Sequence, residues 1–397
     1  MLNGPFSPWP AFSQDEADAV SRVLLSNRVN YWTGSECRDF EREFRRFSDC
    51  EYAIAVANGT VALDLALQGL GIGADADDEV IVTSRTFLAS VSSIVLAGAR
   101  PVFADIDRDS QNVTAASVAE KITPHTRAIL AVHLAGWPCE MDELMALAEQ
   151  YGLYVIEDCA QAHGARYRGR SVGSIGHVGC WSFCQDKIMT TGGEGGMVTT
   201  NDAALWQRMW AFKDHGKSWA AVYEREHPPG FRWLHESFGT NWRLTEMQAA
   251  IGRIQLERMP QWKAARQANA RRIWQAAEAC EALRVPKVPA HSEHAAYKCY
   301  VFVEPERLAP GWNRDRIMAE INAAGVPCFS GSCSEVYREK AFDGTGWRPE
   351  RPLPVAHELG DTSLMFLCHP TLTKAEIARS CRVLQEVMAR ASATVPA

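Results

Sequence analysis

Between Asn58 and Thr200, short apolar runs alternate with helix-like segments, and this pattern constrains the chain more than any other feature. Asn58-Gly-Thr60 opens a helical pattern, Val61-Ala-Leu-Asp-Leu-Ala-Leu67, that stops at Gly69 and Gly71. Glu79-Val-Ile-Val82 reads as a strand and Phe87 to Ala97 as a helix; Gly98-Ala-Arg-Pro101 then breaks the chain before the strand Val102-Phe-Ala104. Ala128 to His133 is a further strand, Met141 to Gln150 a helix capped by Gly152, and Leu153-Tyr-Val-Ile-Glu157 the next strand. Strands separated by helical patterns of roughly 10–15 residues imply βαβ units and a largely parallel sheet. Ligands of such sheets sit beyond the carboxyl ends of the strands. Asp158 and the residues after Val82 fall on that edge.

Chemistry-bearing residues follow the same edge. The apolar run Cys180-Trp-Ser-Phe-Cys184 reads as a strand leading into Lys187, and the chain returns through Thr190-Thr-Gly-Gly-Glu-Gly-Gly196. A lysine able to form an imine, a carboxylate to keep a pyridine nitrogen protonated, and glycines that admit close backbone approach suit pyridoxal 5′-phosphate (PLP). Gln161, three residues after Asp158, is in reach of the ring's 3′ oxygen. Gly59 and Thr60 at a helix start offer free N–H groups and a hydroxyl to a phosphate, and Ser182 a second hydroxyl. Phe87 is a candidate for stacking on the ring. Taken singly, Asp158 and Thr60 read as helix caps, Phe87 as a core aromatic and Lys187 as a solvated loop residue. Only the set points to a cofactor.

At 397 residues the chain can bury an α/β core and carry a second, smaller unit. Its formal charge is 41 − 48 = −7 with no basic block, which argues against nucleic acid. There is no signal-like start and no long apolar run, so neither secretion nor a membrane span is expected. The twelve cysteines form no C-x-x-C pair and read as small buried hydrophobes of a reducing, cytoplasmic setting. With no H-E-x-x-H either, a metal site is not expected. Asp202 to Phe212 reads as a helix with Trp206, Met209 and Trp210 on one face, and His215 to Thr240, including Pro228-Pro-Gly230, as a long irregular excursion. Arg243 to Ala279 reads as one or two long helices broken near Pro260, so a large domain of residues 1–258 and a smaller α/β domain of 259–397 are expected.

Asn58-Gly-Thr60, Arg85-Thr-Phe87, Glu157-Asp-Cys-Ala-Gln161, Ser182, Lys187, Gly195-Gly196 and Asn241-Trp-Arg-Leu-Thr-Glu-Met-Gln-Ala-Ala-Ile-Gly252 occur in one order. Together they resemble the DegT/StrS family of sugar-nucleotide aminotransferases, from about Tyr31 to the C-terminus. The resemblance implies a PLP-dependent transferase of fold type I, with a mostly parallel seven-stranded sheet flanked by helices and a smaller C-terminal α/β domain. It implies that Lys187 is the Schiff-base lysine and proton shuttle and that Asp158 stands at the pyridine nitrogen. It also puts Gln161 at the ring hydroxyl, Gly59, Thr60 and Ser182 at the phosphate, and Phe87 on the ring. Asn241 would reach the cofactor phosphate of a neighbouring subunit, so a homodimer with shared active sites is implied. Family members move an amino group from L-glutamate, sometimes L-glutamine, to a nucleotide-linked keto sugar. Related sugar dehydratases carry histidine in place of the lysine, so Lys187 favours the aminotransferase; a dehydratase or a cyclitol aminotransferase is the alternative. Gln185-Asp186 and Arg85 depart from the common pattern, and Arg85 reads either as an anion contact or as a surface arginine. Tyr31, Thr33, Arg85, His215, Tyr337 and His369 are assigned to the substrate pocket.

Overall fold

The computed structural model describes residues 4–227, 230 and 232–392; Pro228 and Pro229 of the predicted excursion lie outside them. Seven strands form the main sheet: β1 (Tyr52–Val56), β2 (Glu79–Thr83), β3 (Arg100–Ala104), β4 (Thr126–Val132), β5 (Tyr154–Asp158), β8 (Val178–Ser182) and β9 (Gly196–Thr200). A small antiparallel hairpin, β6 (Arg166–Tyr167) and β7 (Arg170–Ser171), separates β5 from β8 in the chain. The spatial order is β1-β9-β8-β5-β4-β2-β3, and β9 alone runs against its neighbours. Both faces of the sheet are covered, which explains the near-continuous apolar runs of the sequence. In β4, Ala128, Leu130 and Val132 pack into the core on one face, while Ile129 and Ala131 pack into that on the other. This is the period-two alternation of a strand.

The predicted strand at Cys180–Cys184 lies two residues earlier than expected. Phe183 and Cys184 remain apolar, but their backbone has left the ladder for the bonds of a loop. The Phe183 N–H donates to the Gly195 carbonyl (2.7 Å), and the Phe183 carbonyl accepts from the Thr190 hydroxyl (2.9 Å). Ser182, not Cys184, therefore ends β8.

Beyond the sheet, β10 (Leu283–Arg284), β12 (Cys299–Val303), β13 (Cys328–Phe329) and β14 (Ser363–Phe366) form an antiparallel sheet in the order β10-β12-β14-β13. The short β11 (Ser292–Glu293) pairs back onto β6. Val301, Ile317, Ile321, Leu364, Leu384 and Val387 build a second buried core.

The break expected at Pro260 does not occur: one helix runs from Glu246 to Glu278. Proline removes the hydrogen bond to the carbonyl four residues earlier and normally kinks a helix. Tertiary contacts on both sides of Pro260 offset that loss. Before it, Arg253 pairs with Glu43 and Glu36, and Arg258 with Glu16. After it, the Cys381 thiol and the Gln385 amide donate to the carbonyls of Arg272 and Ala276. A capping box at Thr245 and Gln248 fixes the start of the helix.

Candidate active site

The carboxyl edge of the parallel strands carries Asp158, Ser182 and the loop of Lys187. Asp158 is the last residue of β5 and is buried. Its Oδ2 accepts from the Ser90 hydroxyl (2.7 Å) and its Oδ1 from the Ala160 N–H (3.1 Å). The carboxylate thus shapes a turn after the strand; it does not cap a helix. Ser90 in turn lies 2.8 Å from the Thr86 hydroxyl. Gln161 is buried, and its carbonyl oxygen accepts from the Ala135 N–H at 2.9 Å.

One strand away, the helix Gly59–Leu70 begins against the end of β8. Asn58 is the N-cap, its side chain accepting from the Val61 N–H. The N–H groups of Gly59 and Thr60 have no partner among the described residues. A Cβ on Gly59 would lie 2.5 Å from the Ser182 Cβ and 2.9 Å from its Oγ, so only glycine lets the helix start stand beside that hydroxyl. Gly196 closes the cradle, since a Cβ there would lie 2.4 Å from the Asn58 carbonyl oxygen. Two free N–H groups at a helix N-terminus and the hydroxyls of Thr60 and Ser182 make a donor-rich cup suited to a phosphate. On donor chemistry and shape, the residues present fit PLP.

Lys187 sits in the loop between β8 and β9 and is partly buried. Its Nζ lies 3.9 Å from Asp186 Oδ1 and 5.3 Å from the centre of the Tyr297 ring. The Tyr297 hydroxyl donates to Asp186 Oδ2 at 2.6 Å. Burial alone would raise the Asp186 carboxyl, but Lys187 and the Tyr297 hydroxyl outweigh it and hold that group below its ordinary range. In the sequence Asp186 stands out only as a departure from the common pattern, and nothing marks Tyr297, more than a hundred residues away.

Glu157, next to Asp158, is structural. Its carboxylate accepts from the N–H groups of Gly173 (2.8 Å), Ile175 (2.8 Å) and Gly176 (2.6 Å) and bonds His133 Nε2 (2.9 Å). The Cys139 N–H donates to His133 Nδ1 at 3.0 Å, so the hydrogen-bond network assigns the ring proton to Nε2. Burial pushes the Glu157 carboxyl up, yet these donors, His133 first, bring it below its ordinary value. His133, Glu157 and Cys159 are grouped closely enough to suggest a metal site, but the Glu157 oxygens and both His133 nitrogens are already engaged with each other and with backbone donors.

Phe87 follows β2 and is 72% exposed, so it is not a core aromatic. Asn241 is exposed and forms an isolated bridge with Asp214; the neighbouring Trp242 carbonyl accepts the Ala57 N–H at 2.9 Å. Four of the six residues assigned to the substrate lie inside the protein instead. Tyr31 donates to Glu41 and accepts from Trp210. Arg85 is fully buried, donating to Gln111 Oε1 and the Ser363 hydroxyl (both 2.8 Å), so it is neither a surface arginine nor an open anion contact. Tyr337 donates to Glu335 at 2.6 Å and packs on Phe103. His369 bonds Thr371 through Nδ1 and stacks on Trp9. Thr33 and His215 are exposed; Thr33 lines a groove beside the helices Gln14–Leu25 and Glu246–Glu278.

The chain is similar to known aminotransferases over nearly its whole length. A crystal structure of an aminotransferase from Psychrobacter cryohalolentis superposes with a TM-score of 0.95 at 65% identity, covering 97% of this chain and 99% of that one. The dTDP-3-amino-3,4,6-trideoxy-alpha-D-glucose transaminase of Streptomyces venezuelae is 35% identical over 93% of this chain and 90% of its own length. The GDP-perosamine synthase of Caulobacter vibrioides is 37% identical over 96% of this chain and 97% of its own. Residues 10–385 match the DegT/DnrJ/EryC1/StrS aminotransferase family, and the chain belongs to that family.

Proposed function

We propose that this aminotransferase uses PLP to move an amino group from L-glutamate to a nucleotide-linked keto sugar. The observation that carries the reading is the convergence of Lys187, Asp158 and the Gly59–Thr60–Ser182 cup on one sheet edge, each group chemically matched to one part of PLP. The names of the S. venezuelae and C. vibrioides relatives support a sugar acceptor.

Bound PLP would supply a carbonyl that takes up amines and a ring that accepts an electron pair. The chain's residues do the rest. The Gly59 and Thr60 N–H groups and the Ser182 hydroxyl hold the phosphate. Asp158 keeps the ring nitrogen protonated, and Ser90 and Ala160 fix the orientation of its carboxylate. Phe87 would cover one ring face, and Gln161 would meet the ring oxygen. Lys187 Nζ would serve as general base and general acid, taking a proton from the α-carbon of glutamate and returning one in the second half of the cycle. Donor and acceptor use the same site in turn, so ping-pong kinetics follow. Asn241, exposed beside the cup, is assigned to the cofactor phosphate of a second copy, which makes the working unit a homodimer. A reducing cytoplasm suits nine buried thiols.

The test is release of 2-oxoglutarate from L-glutamate, first alone and then with UDP-, dTDP- and GDP-linked keto hexoses. Lys187→Ala should lose on the order of 10²–10⁴ in rate. A Lys187→Ala protein that transaminates at the wild-type rate defeats the proposal.

A further inference from the structure

The N-terminal segment crosses the molecule to reach the lysine loop. The Ser7 N–H and hydroxyl donate to the Glu376 carboxylate at 2.6 and 3.0 Å, and the Thr371 hydroxyl donates to the Pro8 carbonyl at 2.7 Å. Between these anchors and the next helix, Trp9 is buried with its indole N–H donating to the Lys187 carbonyl at 2.8 Å. Its ring packs edge-on against Trp262 (5.0 Å), stacks on His369 (6.0 Å) and lies 4.8 Å from the guanidinium carbon of Arg266. Arg266 is buried, and its Nε and one terminal nitrogen have no hydrogen-bond partner among the described residues. The indole face is therefore part of what accommodates that cation.

From these contacts we infer that Trp9 is a positioning residue for Lys187: its indole N–H fixes the lysine's backbone while the side chain moves. Lys187 must hold a cofactor and then carry a proton, so its Nζ has to change place above a stationary main chain. The Lys187 N–H is tied to the Cys184 carbonyl at 3.1 Å, within the loop itself. The carbonyl is tied to Trp9, from outside the loop. A donor clamped by three rings or cations on the far side of the chain gives the loop a fixed external point, and displacements of an ångström at a reacting group are costly.

The inference rests on the PLP reading, and its test separates the two. Trp9→Phe keeps an aromatic ring toward Arg266, Trp262 and His369 while removing the N–H donor along with part of the indole's volume. Apoprotein mixed with PLP is followed by visible absorbance for covalent capture, by fluorescence for non-covalent affinity, and by hydrogen exchange of the 184–191 peptide. Trp9→Phe should slow capture roughly tenfold and speed exchange in that peptide while affinity holds, because the phosphate cup is untouched. Ser7→Ala, which loosens the strap without touching the ring, should shift both in the same direction by less. Capture within about twofold of wild type, or capture and affinity falling together, overturns the inference. Wild-type protein that captures no PLP overturns the functional reading instead.

Discussion

Replacing Glu157 by glutamine keeps its shape and removes its charge, yet it should be among the most damaging conservative changes in the chain. The carboxylate receives four donors: three backbone N–H groups and His133 Nε2. His133 cannot switch its proton to accept from an amide, because Nδ1 is already taken by the Cys139 N–H. In Glu157→Gln, one oxygen still accepts but the NH2 must face donors, whichever way it is turned. One oxygen serves Ile175 and Gly176, the other Gly173 and His133, so two buried donors lose their partner. At about 1–3 kcal/mol for each unsatisfied group, the loss is ~2–6 kcal/mol. Against a typical ~5–15 kcal/mol this is a large share. Urea unfolding at neutral pH measures it directly. The pH dependence has a definite sign. The folded-state pKa is depressed, so the contribution of the charge is complete above the unfolded value, near 4.5, and fades as pH falls through the lower folded value. The gap between wild type and Glu157→Gln should therefore narrow below about pH 4. A neutral-pH gap under about 0.5 kcal/mol, or one that widens in acid, refutes the reasoning.

Two further outcomes follow from the geometry. Gly59→Ala would set a methyl group 2.5 Å from the Ser182 Cβ; it should weaken cofactor binding by about tenfold or more in equilibrium dialysis, since helix start and hydroxyl must separate. Tyr31→Phe should leave the KM for a keto-sugar substrate unchanged and cost about 1 kcal/mol in chemical denaturation, because its hydroxyl serves Glu41 and Trp210 inside the core.

What the sequence discloses is what lies close together along the chain. Val80 to Val82 and Ala128 to Val132 mark strands because both faces of the sheet are buried. Asp158 is legible because it ends such a strand, Gly59 because it opens a helix, and Ser182 because its hydroxyl lies five residues before Lys187. Residues that reach the site from afar leave no such trace. Ser90, Tyr297 and Trp9 touch Asp158, Asp186 and Lys187 from 68, 111 and 178 positions away. Tyr31, Tyr337 and Arg85 misled for a related reason. A hydroxyl or a guanidinium suggests a ligand contact, and nothing local reveals the buried partners Glu41, Glu335 and Gln111. Pro260 misled because its cost is local and the packing that offsets it is not.

The uninterrupted helix has a mechanical corollary. Thirty-three residues at 1.5 Å each make a rod ~50 Å long, and its side chains are embedded in both buried cores. Swinging one core against the other would mean bending that rod or stripping its packing from one side.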